Sequence, residues 1–150
     1  MRRVLLAGIG LMFAAPAMAS GGISCSVDDG KARLELNGAT SRGMGGAFFS
    51  FGAELTLADP QINADLRKIA FERAHLAQNW HDEKELKLRL YREREGDKPH
   101  GYVELLIETE LSEEGIFKGR YVAEVYDMTD AKDSMAKTVK IEGAVECMAE

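Results

Sequence analysis

Most of the side chains that catalysis and metal binding draw on are scarce here. The 150 residues include two cysteines, three histidines, three prolines and one tryptophan. Two cysteines cannot build a structural zinc site of several thiolates. No Gly-x-Ser-x-Gly elbow is present, and pairing the two cysteines would leave no thiol to act as a nucleophile. His75, His81 and His100 fall at separated points of the strand pattern described below, so no shared metal site is expected of them. Asp127, Asp130 and Asp133 recur at every third residue, whereas calcium loops place acids at alternate positions and add a glycine and a distal glutamate. No metal or cofactor is expected.

Long apolar runs are missing as well, except at the start. Arg2 and Arg3, the run from Val4 to Ala15 and the small residues of Ala17-Met18-Ala19 have the form of a secretory signal peptide cleaved after Ala19. The run is too short to span a bilayer, and no later stretch is long enough either. Residues 20–150, a length of 131, suit a single domain. The export signal points to the periplasm of a bacterium, or to secretion. Without Arg2 and Arg3 there are 17 basic residues against 25 acidic ones, a formal charge of −8. That balance disfavours nucleic acid and anionic lipid as partners.

Cys25 and Cys147 stand near the two ends of the exported chain, in a compartment that oxidises thiols, and a disulfide between them is expected. The competing reading makes Cys25 a lipid anchor. Gly22 occupies the position three before it, where such anchors carry leucine, and Cys147 would be left alone.

What the chain has in quantity is alternation. In Tyr102 to Leu111, the residues Val103, Leu105, Ile107, Thr109 and Leu111 alternate with Tyr102, Glu104, Leu106, Glu108 and Glu110, the period of a half-buried strand. Leu86, Leu88 and Leu90 alternate with Lys87, Arg89 and Tyr91, and Gly96, Asp97 and Pro99 supply the intervening turn. Pairing Arg94 with Gly101 sets Leu90 against Leu105 and Leu88 against Ile107 inside, with Lys87 against Glu108 outside. A second turn containing Gly115 sets Leu111 against Phe117, Ile107 against Tyr121 and Val103 against Val125, while Glu110 meets Lys118 and Glu108 meets Arg120. A slip of one residue would bury those charges. Three strands of an antiparallel meander follow.

Elsewhere, Asp29-Gly30 favours a two-residue hairpin turn that would set Cys25 against Leu34 and Ile23 against Leu36. Val139, Ile141, Val145 and Cys147 share one face of the last strand, so both cysteines point inward. Gly38 to Gly46, with the run Arg42-Gly43-Met44-Gly45-Gly46, is a flexible loop, followed by a strand in which Phe49, Phe51, Ala53, Leu55 and Leu57 form the apolar set. Because a strand and not a helix follows it, the loop is not read as a phosphate cradle. Asp59-Pro60 starts a short helix running to about Lys68. A strand to Trp80 comes next, with Leu76, Gln78 and Trp80 paired with Leu90, Leu88 and Leu86.

The expected fold is all-β, an antiparallel β-sandwich or flattened barrel of about eight strands, with an α+β arrangement carrying one helix within residues 60–78 as the alternative. On the outer face of the meander, Leu106 faces Val122, Tyr102 faces Tyr126, and Tyr91 lies beside Glu104. This stripe is either covered by the Asp59 to Trp80 segment or by a loop, or is a docking surface. The expectation is an exported, noncatalytic binding module that engages a protein or envelope component through Tyr91, Tyr102, Leu106, Val122 and Tyr126. A carrier of a small apolar ligand inside the barrel is the alternative, weakened by the bulk of Phe49, Phe51, Leu88, Leu105, Ile107 and Tyr121. Glu104 opposite Glu124 is a carboxylate pair, but an open sheet face would shift their pKa values little.

Overall fold

The computed structural model describes residues 20–41, 48–129 and 136–149. Residues 1–19, read as a signal peptide, the Arg42 to Gly46 run of the expected loop, and Asp130 and Asp133 lie outside the described residues. Nine antiparallel strands form one sheet that nearly closes on itself as a barrel. They are β1 (Ser20–Asp28), β2 (Ala32–Ser41), β3 (Phe48–Leu57), β4 (Lys68–Glu72), β5 (Leu76–His81), β6 (Glu85–Glu93), β7 (Gly101–Leu111), β8 (Phe117–Asp127) and β9 (Lys137–Ala149). The expected all-β architecture is thus present in its barrel form. The spatial order β4-β3-β2-β1-β9-β8-β7-β6-β5 is a meander whose first strand pairs with its last.

The β6-β7-β8 registers are those the alternation demands: Leu90 pairs with Leu105, Leu88 with Ile107, Ile107 with Tyr121 and Leu111 with Phe117. Inward residues from all the long strands make one core, in which Leu55, Leu90, Val103, Leu105, Ile107 and Ala123 are wholly buried. Cys25 and Cys147 stand directly opposite each other in β1 and β9 and are joined, with an S–S distance of 2.05 Å. That bond sits at a thin junction, because β1 and β9 pair through only Ile23–Ser26 and 146–149.

Five expectations are corrected. Gly38 to Ser41, expected in the flexible loop, continue β2 and pair with Ser20 to Ile23 of β1. The β1-β2 hairpin is wider than a two-residue turn: Cys25 pairs with Leu36 and Val27 with Leu34. The cause is Asp29, whose carboxylate accepts hydrogen bonds from the Lys31 and Ala32 amides at 2.9 Å each and so holds a longer loop. The register moves by an even step, and the inward face is preserved. Asp59 does not cap the helix. It accepts from the Gln61 amide at 2.8 Å in a separate turn, and the helix α1 (Ala64–Arg67) is a single turn beginning after Asn63.

The other two corrections are bulges. In β3 the pairing with β2 shifts between Ala39 and Thr40, which turns Phe48 inward and leaves Phe49 60% exposed. In β5 the pairing with β6 shifts between Leu76 and Gln78, so that Trp80 meets Lys87 instead of Leu86 and is 58% exposed. Leu76 still pairs with Leu90, as the alternation requires. One inserted residue reverses every side chain beyond it.

The segment from Asp59 onward plugs one end of the barrel. Ile62, Leu66, Ile69 and Phe71 all belong to the core. The plug is fastened by Arg94, whose side chain is 3% exposed: Nε donates to Asp65 Oδ2 at 2.8 Å and Nη1 donates to Asp127 Oδ1 at 2.9 Å. Asn63 Nδ2 donates to the second Asp127 oxygen at 2.6 Å. Burial pushes the Asp127 carboxyl up, but the hydrogen bonds from Arg94, Thr129 and Asn63 outweigh it and hold the group well below the usual carboxylate range.

β4 and β5 are two halves of one descending segment, linked by a 3-10 turn at Arg73–His75. The first half pairs with β3 and the second with β6. Across the upper half of this seam the Arg92 guanidinium of β6 donates to the Ala70 carbonyl of β4.

Candidate functional site

The residues singled out for docking do assemble on the outer face of β6, β7 and β8. Tyr102 and Tyr126, paired across β7 and β8, stack with ring centroids 5.2 Å apart and planes within 8° of parallel. Tyr91 on β6 lies 5.2 Å from Tyr102 at 40°. Each tyrosine is half-buried, as are Leu106 and Val122, which pair further along the same strands. The plug segment does not cover this face, since Ile62, Leu66, Ile69 and Phe71 are spent on the barrel interior.

The hydroxyls are held as well as the rings. Tyr102 Oη donates to Glu124 Oε1 at 2.9 Å, and Tyr91 Oη donates to Glu93 Oε1 at 2.9 Å. The bond to Glu124, aided by burial and the nearby Glu104 charge, pushes the Tyr102 phenol up to about 12. Burial, with Glu93 second, raises Tyr91 in the same direction. Glu104 and Glu124 do pair across the strands, and each has a cation: Arg89 contacts Glu104, and Lys140 Nζ lies 2.9 Å from Glu124 Oε2. The hydrogen bonds from Lys140 and then Tyr102 keep the Glu124 carboxyl below its ordinary value. A carboxylate stabilised in this way is a poor proton donor near neutral pH and a good fixed acceptor. The face therefore presents ordered rings inside a ring of neutralised charges.

Two residues join this surface that the alternation did not indicate. His100, in the turn before β7, packs 5.7 Å from Tyr126 and 6.1 Å from Tyr102. Its position immediately before Gly101, the first residue of β7, was the available signal. Trp80, turned outward by the β5 bulge, lines a cleft of about 460 Å³ with Gln78, Lys87, Arg89 and Leu106. The other two histidines pack on different rings, His75 on Phe71 at 6.3 Å and His81 on Phe117 at 5.7 Å. Among the described residues, no three His, Cys, Asp or Glu side chains are placed to hold one metal ion.

The barrel interior is occupied by side chains. Tyr121, Phe71, Leu34, Leu36, Leu57 and Leu66 are each less than 2% exposed or nearly so. Tyr121 Oη donates to Asp29 Oδ2 at 2.8 Å, and Lys31 Nζ donates to the Glu142 carbonyl at 2.9 Å. These side chains tie the β1-β2 hairpin to β8 and to β9, beyond the short β1-β9 ladder.

The chain is thus a nearly closed antiparallel barrel with a filled interior and an aromatic outer face. Comparison with protein-family models, with curated proteins and with solved structures finds no match for it.

Proposed function

We propose that this is an exported, noncatalytic binding module of the bacterial periplasm, which docks a protein or another envelope component through Tyr91, Tyr102, Leu106, Val122 and Tyr126. The observation that carries the reading is the pre-ordered tyrosine cluster. Its three rings are packed on one another and two of its hydroxyls are anchored, so little side-chain entropy remains to be lost on binding. Aromatic residues held in this way are the usual anchors of protein interfaces. The export signal over residues 1–19 and the Cys25–Cys147 bond support an oxidising compartment. No helix among the described residues is long and apolar enough to cross a membrane.

The test uses a photo-crosslinking amino acid placed at Leu106 in living cells, with the same residue at exposed Arg33 on β2 as the control. An adduct is expected from Leu106 and not from Arg33, and Tyr102→Ser should remove it while the purified variant keeps its fold. Equal adducts at both positions, or an adduct insensitive to Tyr102→Ser, would overturn the reading.

A further inference from the structure

We propose that the unsealed half of the barrel seam binds an extended, uncharged segment of another polypeptide by strand addition. The proposal concerns a different surface from the tyrosine face and does not depend on it.

The pairing of β3 and β5 defines the place. β3 pairs with β4 only over Gly52–Thr56, and its preceding residues Phe48–Phe51 pair with β2 alone. β5 pairs with β6 alone. Because β4 and β5 are halves of one segment that changes partner at Arg73–His75, the upper half of the seam is bridged while the lower half leaves two strand edges. Among the described residues neither edge has a backbone partner on its outer side. Unpaired N–H and C=O groups in a row at strand spacing accept one kind of ligand well, another extended backbone.

Three further observations point the same way. First, the two shifts in strand register found among the described residues, at Ala39/Thr40 opposite β3 and at Leu76/Gln78 in β5, fall on these two edges. Each expels an aromatic residue that simple alternation would bury, Phe49 in one and Trp80 in the other. Bulges are a means of re-aiming a side chain. Second, Phe48-Phe49-Ser50-Phe51 and Leu76-Ala77-Gln78-Asn79-Trp80-His81 contain no Asp, Glu, Lys or Arg, in a chain in which 29% of residues are charged. Edges exposed to solvent are normally guarded by charge, as β4 is by Lys68 and Glu72. Third, Trp80 is itself 58% exposed on β5 and Phe49 60% exposed on β3, so an added strand meets an apolar side chain at each edge. Main-chain pairing sets the ligand's conformation, and the uncharged edges with Phe49 and Trp80 set its composition.

The experiment follows amide hydrogen exchange in the ¹⁵N-labelled mature protein by NMR. The probe is an acetylated, amidated peptide of alternating threonine and valine, compared with its counterpart carrying N-methyl groups at alternate residues. The unmethylated peptide is expected to slow exchange about tenfold at the amides of Phe48–Phe51 and Ala77–His81 that face the seam. The methylated peptide, unable to complete the ladder, should give no slowing, and Trp80→Lys should abolish the effect while Tyr102→Ser leaves it intact. Absence of slowing by the unmethylated peptide, or equal slowing by both, would overturn the proposal. So would protection of these amides in the peptide-free protein together with a dimeric mass by sedimentation, which would assign the edge to a second copy.

Discussion

Removing the disulfide tests the junction on which the barrel closes. Cys25 and Cys147 are 3% and 1% exposed and are separated by 122 residues. Opening a loop of that size returns to the unfolded chain an entropy worth about 5 kcal/mol at 25 °C. For the 131 residues after Ala19, an unfolding entropy of about 2.1 cal/mol/K per residue amounts to roughly 0.28 kcal/mol/K, so Tm should fall by about 18 °C. The variant to use is Cys25→Ala with Cys147→Ala, which leaves no lone thiol to form other bonds. Calorimetry gives the Tm of both proteins, and hydrogen exchange locates the weakness. Because β1 and β9 pair over only four residues each, their amides should exchange faster in the variant well below its Tm, while β7 stays protected. A fall in Tm smaller than about 5 °C, given the loop size, would refute the reasoning, as would loosening that spares β1 and β9.

Two glycines should rank by what a methyl group would meet. At Gly119 the added carbon would lie 2.0 Å from the Glu108 carbonyl oxygen, and at Gly143 it would lie 2.2 Å from the Asp29 carboxylate. Backbone cannot yield and a side chain can, so urea denaturation should show Gly119→Ala costing about 3 kcal/mol or more and Gly143→Ala about 1–2 kcal/mol; the reverse order would contradict the geometry. In an absorbance titration of the phenols, Tyr102 should ionise near 12, and Glu124→Gln should bring it back toward the ordinary value of about 10. An unchanged curve would break the assigned hydrogen bond. Asp127 has a folded-state pKa below its unfolded value of about 3.9, so the stability it contributes is present above that pH and lost as pH falls through the lower folded value. Asp127→Asn should therefore be less stable than wild type near neutrality, with the gap closing in acid; a gap independent of pH would show that the charge is not what matters.

The meander, the polarity of its faces and the pairing of the cysteines were legible because a half-buried strand repeats at two residues, and charge on the wrong side cannot be hidden. The same reasoning placed Tyr91, Tyr102, Leu106, Val122 and Tyr126 on one outer surface. It failed where a single residue was inserted into the ladder. Nothing in Phe48-Phe49 or Leu76-Ala77-Gln78 distinguishes a bulged strand from a regular one, since the choice depends on which partner edge the residues meet. The Asp29-Gly30 hairpin was misjudged in length for a related reason: the Asp29 carboxylate selects the loop by hydrogen bonds to Lys31 and Ala32.

By itself the sequence determined which side of each long strand faces inward, except beyond the bulge in β3, because apolar burial is set by local pattern. Tertiary structure alone decided that Lys68 to His81 divides its pairing between β3 and β6, that Arg94 locks the plug to Asp65 and Asp127, and that Phe49 and Trp80 stand at the open seam. Those outcomes depend on closing the sheet, which brings its first and last edges together and leaves each to find the partner that remains.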